Sequence, residues 1–189
     1  MSWIDHPKFA AVRDSVIKQF QTKAFYFRKL RRVVFLCGGA GSHRRERLAA
    51  YLKKNRQDTL VFYADHVWAF IAKQQGLNAL QMEEQLAELA DIVVIVVESP
   101  GTFAELGAFS LSPALRKKLL PIIDEQYKGA ESFVNTGPVR WIDADSDFKP
   151  TIHVKFNTVL GCVKELAERI EPLPNPSRAR VGHLHDSPP

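Results

Sequence analysis

Two acids bracket a turn-forming pair in the stretch Glu98-Ser99-Pro100-Gly101-Thr102-Phe103-Ala104-Glu105. Carboxylates paired in this way can open a glycosidic bond, one attacking or stabilising the sugar cation while the other handles the proton. A structural role competes for the second acid. Thr102 followed three residues later by Glu105 has the form of a capping box, whose side chains satisfy the first backbone N–H groups of a helix. Gly107 lies inside that predicted helix at a cost of ~1 kcal/mol relative to alanine, which suggests close packing on its face.

A second cluster of candidates is Gly38-Gly39-Ala40-Gly41-Ser42, preceded by Cys37. Glycines let backbone approach a ligand, and a following helix presents unpaired N–H groups to an anion. No Gly-Lys-Ser/Thr follows, so this is not a Walker loop, and Arg44 stands where a dinucleotide fingerprint would have its third glycine. Asp65 could accept hydrogen bonds from ribose hydroxyls or cap a helix, two readings of equal weight.

The elements that must position these residues alternate between strand and helix. Apolar spacing predicts helices over 8–27, from Ser42 through Leu52, over 66–74, over 80–89, from Phe103 to about Phe109, and over 155–170. Strands are predicted at 32–37, 59–63, 91–97, 118–123 and 139–142, that at 91–97 being an unbroken β-branched run suited to the centre of a parallel sheet. The fold class is therefore α/β, an open doubly wound sheet of about five parallel strands with helices on both faces. Residues 1–170 form one domain, and the tail from Glu171, with five of the eleven prolines, is predicted extended or disordered. Ligands of such sheets sit beyond the carboxyl ends of the strands where the topology reverses. Cys37 to Ser42, Tyr63 to His66 and Glu98 to Glu105 are thus expected to converge on one crevice.

Composition narrows the function. The chain of 189 residues is 46% apolar and 25% charged, and no run approaches the ~18 apolar residues of a membrane span. Its start lacks the basic and apolar regions of a secretory signal, and two cysteines make neither a disulfide framework nor a metal site. These features predict a cytoplasmic protein that engages no membrane. The net charge of +5 and the clusters at 28–32 and 43–47 would attract anions, although Arg28 to Arg32 reads first as a solvated face. His183 and His185 are too few for a metal site, and no cofactor is called for.

The segment Glu98 to Ser110 resembles the active-site segment of the nucleoside 2-deoxyribosyltransferase superfamily, and more closely the transferase-like effector domain of bacterial retron anti-phage systems. The likeness extends in order through 34–39, Phe62-Tyr63, 86–94, 115–119 and 132–140. It implies a flavodoxin-like fold and N-glycosidic cleavage of a nucleoside, nucleotide or dinucleotide, as a phage-defence toxin. Glu105 would be the nucleophile, and Asp65 and Glu98 ribose-binding or proton-transfer groups. Cys37, Gly38, Gly39, Ser99, Pro100, Gly101, Thr102 and Asn135 would lie against the substrate. A homo-oligomer is implied, as is assembly with a reverse transcriptase and its RNA–DNA hybrid. Such effectors usually carry a further C-terminal region, whereas this sequence runs into the proline-rich tail, so that assembly would depend on another chain. The core Pro100-Gly101-Thr102 to Glu105 is also similar to lysine-decarboxylase-like phosphoribohydrolases, without their longer glycine-rich signature. Two other classes compete: a catalytically silent nucleotide-binding or scaffold module of a defence complex, and a nucleic-acid accessory protein acting through the basic clusters.

Overall fold

The structure, a computed structural model, describes residues 32–56, 59–63, 79–158 and 160–170. The helices predicted over 8–27 and 66–74, the basic residues 28–31, Asp65 and the tail from Glu171 lie outside the described residues.

Five parallel strands form one sheet: β1 (Arg32–Cys37), β2 (Thr59–Phe62), β3 (Ile92–Val97), β4 (Leu119–Asp124) and β5 (Ile152–Val154), in the order β2-β1-β3-β4-β5. Side chains alternate across it, as strand geometry requires. Val34, Leu36, Val94 and Val96 enter one buried cluster with Leu48 and Leu52 of α1 (His43–Asn55) and with Val163 and Leu166 of a later helix, Leu160–Ile170. Phe35, Cys37, Val93, Ile95 and Val97 enter the other, with Leu86 and Ala87 of α2 (Ala79–Leu89) and Leu106 and Phe109 of α3 (Pro100–Leu111). Every residue of β3 is buried, and each such aliphatic side chain contributes roughly 1.5–3 kcal/mol of hydrophobic stabilisation. Pro121 is tolerated in β4 because the ladder to β5 begins only at Ile122, so the missing N–H falls beside no partner strand.

The predicted strand at 139–142 is instead helical. Asn135–Val139 forms a wide turn with five-residue hydrogen-bond spacing, Arg140 N–H reaching Asn135 O, and leads directly into a short helix, Arg140–Asp145. Val139 and Ile142, three apart, are the buried pair while Trp141 is exposed, which is helical spacing. Pro138, lacking an N–H, favours this widening over a regular turn. A four-residue apolar run cannot decide between strand and helix by periodicity. The fifth strand lies ten residues further on, and the helix predicted from Lys155 begins as a short 3₁₀ turn, Phe156–Thr158.

Two arginines of the basic clusters are buried, whereas His43, Glu46 and Arg47 remain exposed. Arg32 is 8% exposed and donates to Ile170 O at the end of the last helix (2.7 Å), while Arg45 is 4% exposed. His43 faces Glu46 at 3.5 Å. Among the described residues no helix is long and apolar enough to cross a membrane.

Candidate active site

The topology reverses between β1 and β3. The chain leaves β1 for β2 on one side and returns past β1 to β3 on the other, so the loops after β1 and β3 meet at the carboxyl edge of the sheet. The register sets Cys37 opposite Ile95, which brings Gly39 beside Glu98. Gly39 N–H donates to Glu98 Oε1 (3.1 Å), and Arg44 donates to Glu98 Oε2 (2.8 Å) while its Nε reaches Phe156 O (3.0 Å). The Arg44 guanidinium lies 4.7 Å from the centroid of the Phe156 ring. Glu98 is therefore a buried, charge-compensated acid that fastens the glycine loop. Gly38 leaves room for a close approach here: a Cβ would sit 3.1 Å from the Arg45 side chain and 3.4 Å from Glu98 Oε1, so those side chains would have to give by a few tenths of an ångström. Gly41 turns the chain at φ +68°, and Ser42 caps α1 by accepting from Arg45 N–H.

The helix carrying Glu105 starts earlier than its sequence suggests. Ser99 is the N-cap of α3, with Pro100 in its first turn. Ser99 Oγ accepts from Thr102 N–H (3.4 Å), and Thr102 Oγ1 accepts from both Glu98 N–H (3.0 Å) and Ser99 N–H (2.9 Å). The capping box is thus Ser99 with Thr102, not Thr102 with Glu105. Glu105 stands in the second turn, released from capping. Pro100 and Gly101 are exposed at the mouth of this turn. Nothing among the described residues lies within 4 Å of a Cβ built on Gly107, so the close packing expected there is not found.

Released from the cap, the Glu105 carboxyl meets the Cys37 thiol and the carboxyl of Glu83. Glu83 comes from the first part of α2, which runs back along the sheet and so begins at the carboxyl edge. Among its described side chains Glu83, Leu86 and Ala87 are buried, as is Ala90 just beyond its end, whereas Leu80 and Leu89 are 45% and 47% exposed. The face separating apolar from acidic residues on this helix thus differs from the one its Leu spacing implies: an acid occupies a core position. Burial pushes the Glu105 carboxyl up to about 8, reinforced by Glu83, while Cys37 and Arg45 draw it the other way. Burial and the two acids hold the Cys37 thiol well above its ordinary range, so it is protonated and a poor nucleophile. Glu105 Oε2 is buried with no hydrogen-bond partner among the described residues. Arg45 brings a cation to this corner; its Nη1 donates to Gly38 O (3.3 Å) and its guanidinium lies 4.9 Å from the centroid of the Tyr63 ring.

A family model described as "STM3845 retron effector protein" matches residues 41–186. The chain belongs to this retron effector family. Two Escherichia coli relatives bear the name "putative ribosyltransferase/DNA-binding protein". That of retron Ec86 is 39% identical over 139 residues, covering 70% of this chain and 45% of its own length. That of retron Ec73 is 34% identical over 125 residues, covering 62% and 40%. The match therefore spans less than half the length of these curated relatives. General stress protein 14 of Treponema denticola, solved with FMN, overlaps 74% of this chain and 92% of its own with a TM-score of 0.39 and 12% identity.

Of the site residues expected for a retron effector, Cys37, Gly38, Gly39, Glu98, Ser99, Pro100, Gly101, Thr102 and Glu105 gather at one edge. Asn135 serves elsewhere. Its amide donates to Tyr127 O and Ala130 O (both 2.8 Å), and it lines a cavity of about 600 Å³ beside β4 and β5 with Arg140, Asp143 and His153. Sequence reasoning passed over Arg44, Arg45 and Glu83. Arg44 was legible only as a broken fingerprint; Glu83 could have been found as the acid at i−3 and i−4 to Leu86 and Ala87.

Proposed function

We propose that this retron effector cleaves the N-glycosidic bond of a nucleoside, nucleotide or dinucleotide, with Glu105 as the nucleophile. One observation supports this most: Glu105 is a half-buried acid at the topological switch point that does no capping, and its buried Oε2 has no hydrogen-bond partner among the described residues. Acids so perturbed by burial and a like-charged neighbour concentrate at functional sites.

In the proposed reaction an ionised Glu105 oxygen bonds to the anomeric carbon while the bond from that carbon to the base nitrogen breaks, its electron pair leaving with the base. Water then attacks the sugar ester in hydrolysis, or a second base does so in transfer. Glu98 plays a positioning part: held by Arg44, it keeps Gly38 and Gly39 close to the sugar or phosphate. Ser99 and Thr102 fix the start of α3 and so the height of Glu105. Asp65 is the proposed ribose contact, and Asn135 a more distant substrate contact. The biological role is base or nucleotide depletion in the cytoplasm during phage defence. The effector acts as an oligomer and in association with a reverse transcriptase and its RNA–DNA hybrid.

The experiment is incubation of the purified chain, and of Glu105→Gln, with a panel of nucleosides, nucleotides and dinucleotides, followed by mass spectrometry for free base. Base released by the wild type and not by the variant supports the proposal. The raised Glu105 value favours one rival, a silent nucleotide-binding module, because the acid is protonated at neutral pH. Calorimetric nucleotide binding without base release up to pH 9 would establish that rival instead.

A further inference from the structure

We infer that the cavity beside β4 and β5 is an accessory site for an uncharged nucleoside or free base with a guanine-like edge, read by Arg140 and Asp143. It is separate from the switch point between β1 and β3 and does not require Glu105 to be a nucleophile.

Specific bonds hold the walls of this cavity. Ile152 enters the buried cluster on one face of the sheet, so His153 turns to the other, where Val139 and Ile142 pack. The wide turn Asn135–Val139 and the short helix after it bring Thr136, Arg140, Asp143 and Ala144 to the cavity. Asp143 Oδ1 accepts from both the N–H and the hydroxyl of Thr151 (2.7 Å each), which ties that helix to the start of β5. Across the cavity Gly129 turns the loop at φ +76°, and the Asn135 amide clamps it through Tyr127 O and Ala130 O. Thr136 Oγ1 adds a bond to Ser132 O (2.8 Å). Residues 129–153, which supply the whole lining, are all described. A space of about 600 Å³ is within the range of small-molecule sites and admits a base with its sugar.

Charge selects the ligand. Glu131 and Asp143 line the cavity with one cation, Arg140. Burial, with Lys128 nearby, lowers the value of His153, so its imidazole is uncharged at neutral pH. Even with Lys128 counted the corner has no positive surplus, whereas sites for phosphate gather cations. A neutral group that carries donors and acceptors side by side fits better. Arg140 and Asp143 stand three residues apart on one helix, where side chains are neighbours. A guanidinium offers only donors and a carboxylate only acceptors. Guanine presents two acceptors, O6 and N7, to an arginine fork, and its N1–H and amino group follow along the same edge for a carboxylate. Both Thr151 bonds fall on Asp143 Oδ1, which leaves Oδ2 for that contact. Ala130, Val139 and Ala144 supply apolar contacts for the faces of the ring.

The test is ¹H–¹⁵N NMR on the full chain, titrated with guanosine, adenosine, guanosine monophosphate and a short single-stranded oligodeoxyguanylate. Guanosine should shift the amides of Gly129, Thr136, Arg140 and His153, equally in wild type and in Glu105→Gln. Adenosine should bind there roughly tenfold or more weakly, and the two phosphorylated probes no more tightly than guanosine. Arg140 is exposed, so Arg140→Ala keeps the fold and should weaken guanosine by about tenfold or more. Asp143→Asn keeps an oxygen for Thr151 and replaces the second acceptor by a donor, so it should weaken guanosine more than adenosine. The inference is overturned if millimolar guanosine leaves these amides unmoved or shifts only those around Gly39 and Glu98. It is overturned equally if Arg140→Ala binds as wild type does, if adenosine matches guanosine, or if a phosphorylated probe binds more tightly at these amides. Failure of the enzymatic reading looks different: base release absent in wild type, or unchanged in Glu105→Gln, with the guanosine shifts intact.

Discussion

Glu98 and Glu105 sit at the same edge of one sheet and are separated by a single helical turn and a cap, yet they live in opposite electrostatic settings. Glu98 has a guanidinium at 2.8 Å and a backbone N–H at 3.1 Å, so burial is compensated and it closes the glycine loop. Glu105 has a second acid and a thiol as neighbours, so burial is only partly offset and its carboxyl is pushed up to about 8. The first arrangement fastens a loop to the sheet; the second is the one on which the proposed chemistry rests. Two carboxylates bracketing Pro-Gly look like equivalent halves of a catalytic pair, whereas the acid that meets Glu105 is Glu83.

The largest effect expected from this contrast is kinetic. Glu105→Gln should lower base release by at least ~10³-fold, as removal of a covalent nucleophile does in other enzymes, with circular dichroism unchanged. Comparable activity in that variant would return both acids to structural roles. The next effect is on stability. Arg44→Ala leaves Glu98 buried beside one N–H, and should cost about 2–3 kcal/mol in urea unfolding. That is below the ~3–5 of a fully buried pair because the Arg44 side chain keeps 37% exposure. Adding Glu98→Gln to Arg44→Ala should recover part of the loss, since the orphaned charge is then gone. Recovery at Glu98 and none at Glu105 would confirm that the two corners are built on different principles.

The pH response separates them further. The folded protein keeps the Glu105 proton to about 8, whereas an unfolded chain loses it in the ordinary glutamate range. Between those limits the native state binds more protons, so this site's contribution to stability falls as pH rises through the window. Glu105→Gln removes the group that must charge, and its Tm relative to wild type should therefore be higher at pH 8 than at pH 5. The kcat/KM of the wild type should rise with pH toward a midpoint near 8, because attack requires the ionised form. A wild-type rate that is flat from pH 5 to 8 would show that Glu105 is already ionised, and so that its neighbours do not withhold its charge.

Much of this was written in the sequence, and the misses have physical causes. The β-branched run at 92–97 and the glycines after Cys37 were enough to place β1, β3 and the meeting of their following loops, because full burial and tight turns leave unmistakable residue types. The strand expected at 139–142 failed because four apolar residues carry no period, and buried positions three apart became visible only with coordinates. Arg32, Arg44 and Arg45 look like solvent-facing charge in sequence; each instead reaches a specific acceptor across the fold, which local spacing cannot reveal. Glu83 was hidden by the assumption that acids on an amphipathic helix face water. That assumption fails at a site where an acid is kept in the core with another acid as its partner.

The smallest effects concern the turn that separates the two carboxylates, and they decide which of them the cap serves. Thr102 is 1% exposed and its Oγ1 accepts from two backbone N–H groups, so Thr102→Val should cost roughly 1–3 kcal/mol by leaving them unsatisfied. Ser99→Ala removes an N-cap acceptor whose hydrogen bond is long, 3.4 Å, and should cost about 1 kcal/mol or less. Both losses should appear in thermal unfolding, and both should lower base release by loosening the turn that sets the position of α3. The double variant Thr102→Val with Glu105→Gln gives the sharper result. If the cap is made by Ser99 and Thr102 alone, the stability loss from Thr102→Val will be the same in either Glu105 background. A coupling larger than ~0.5 kcal/mol would put Glu105 back into the cap. The carboxyl could not then be the free oxygen at the switch point.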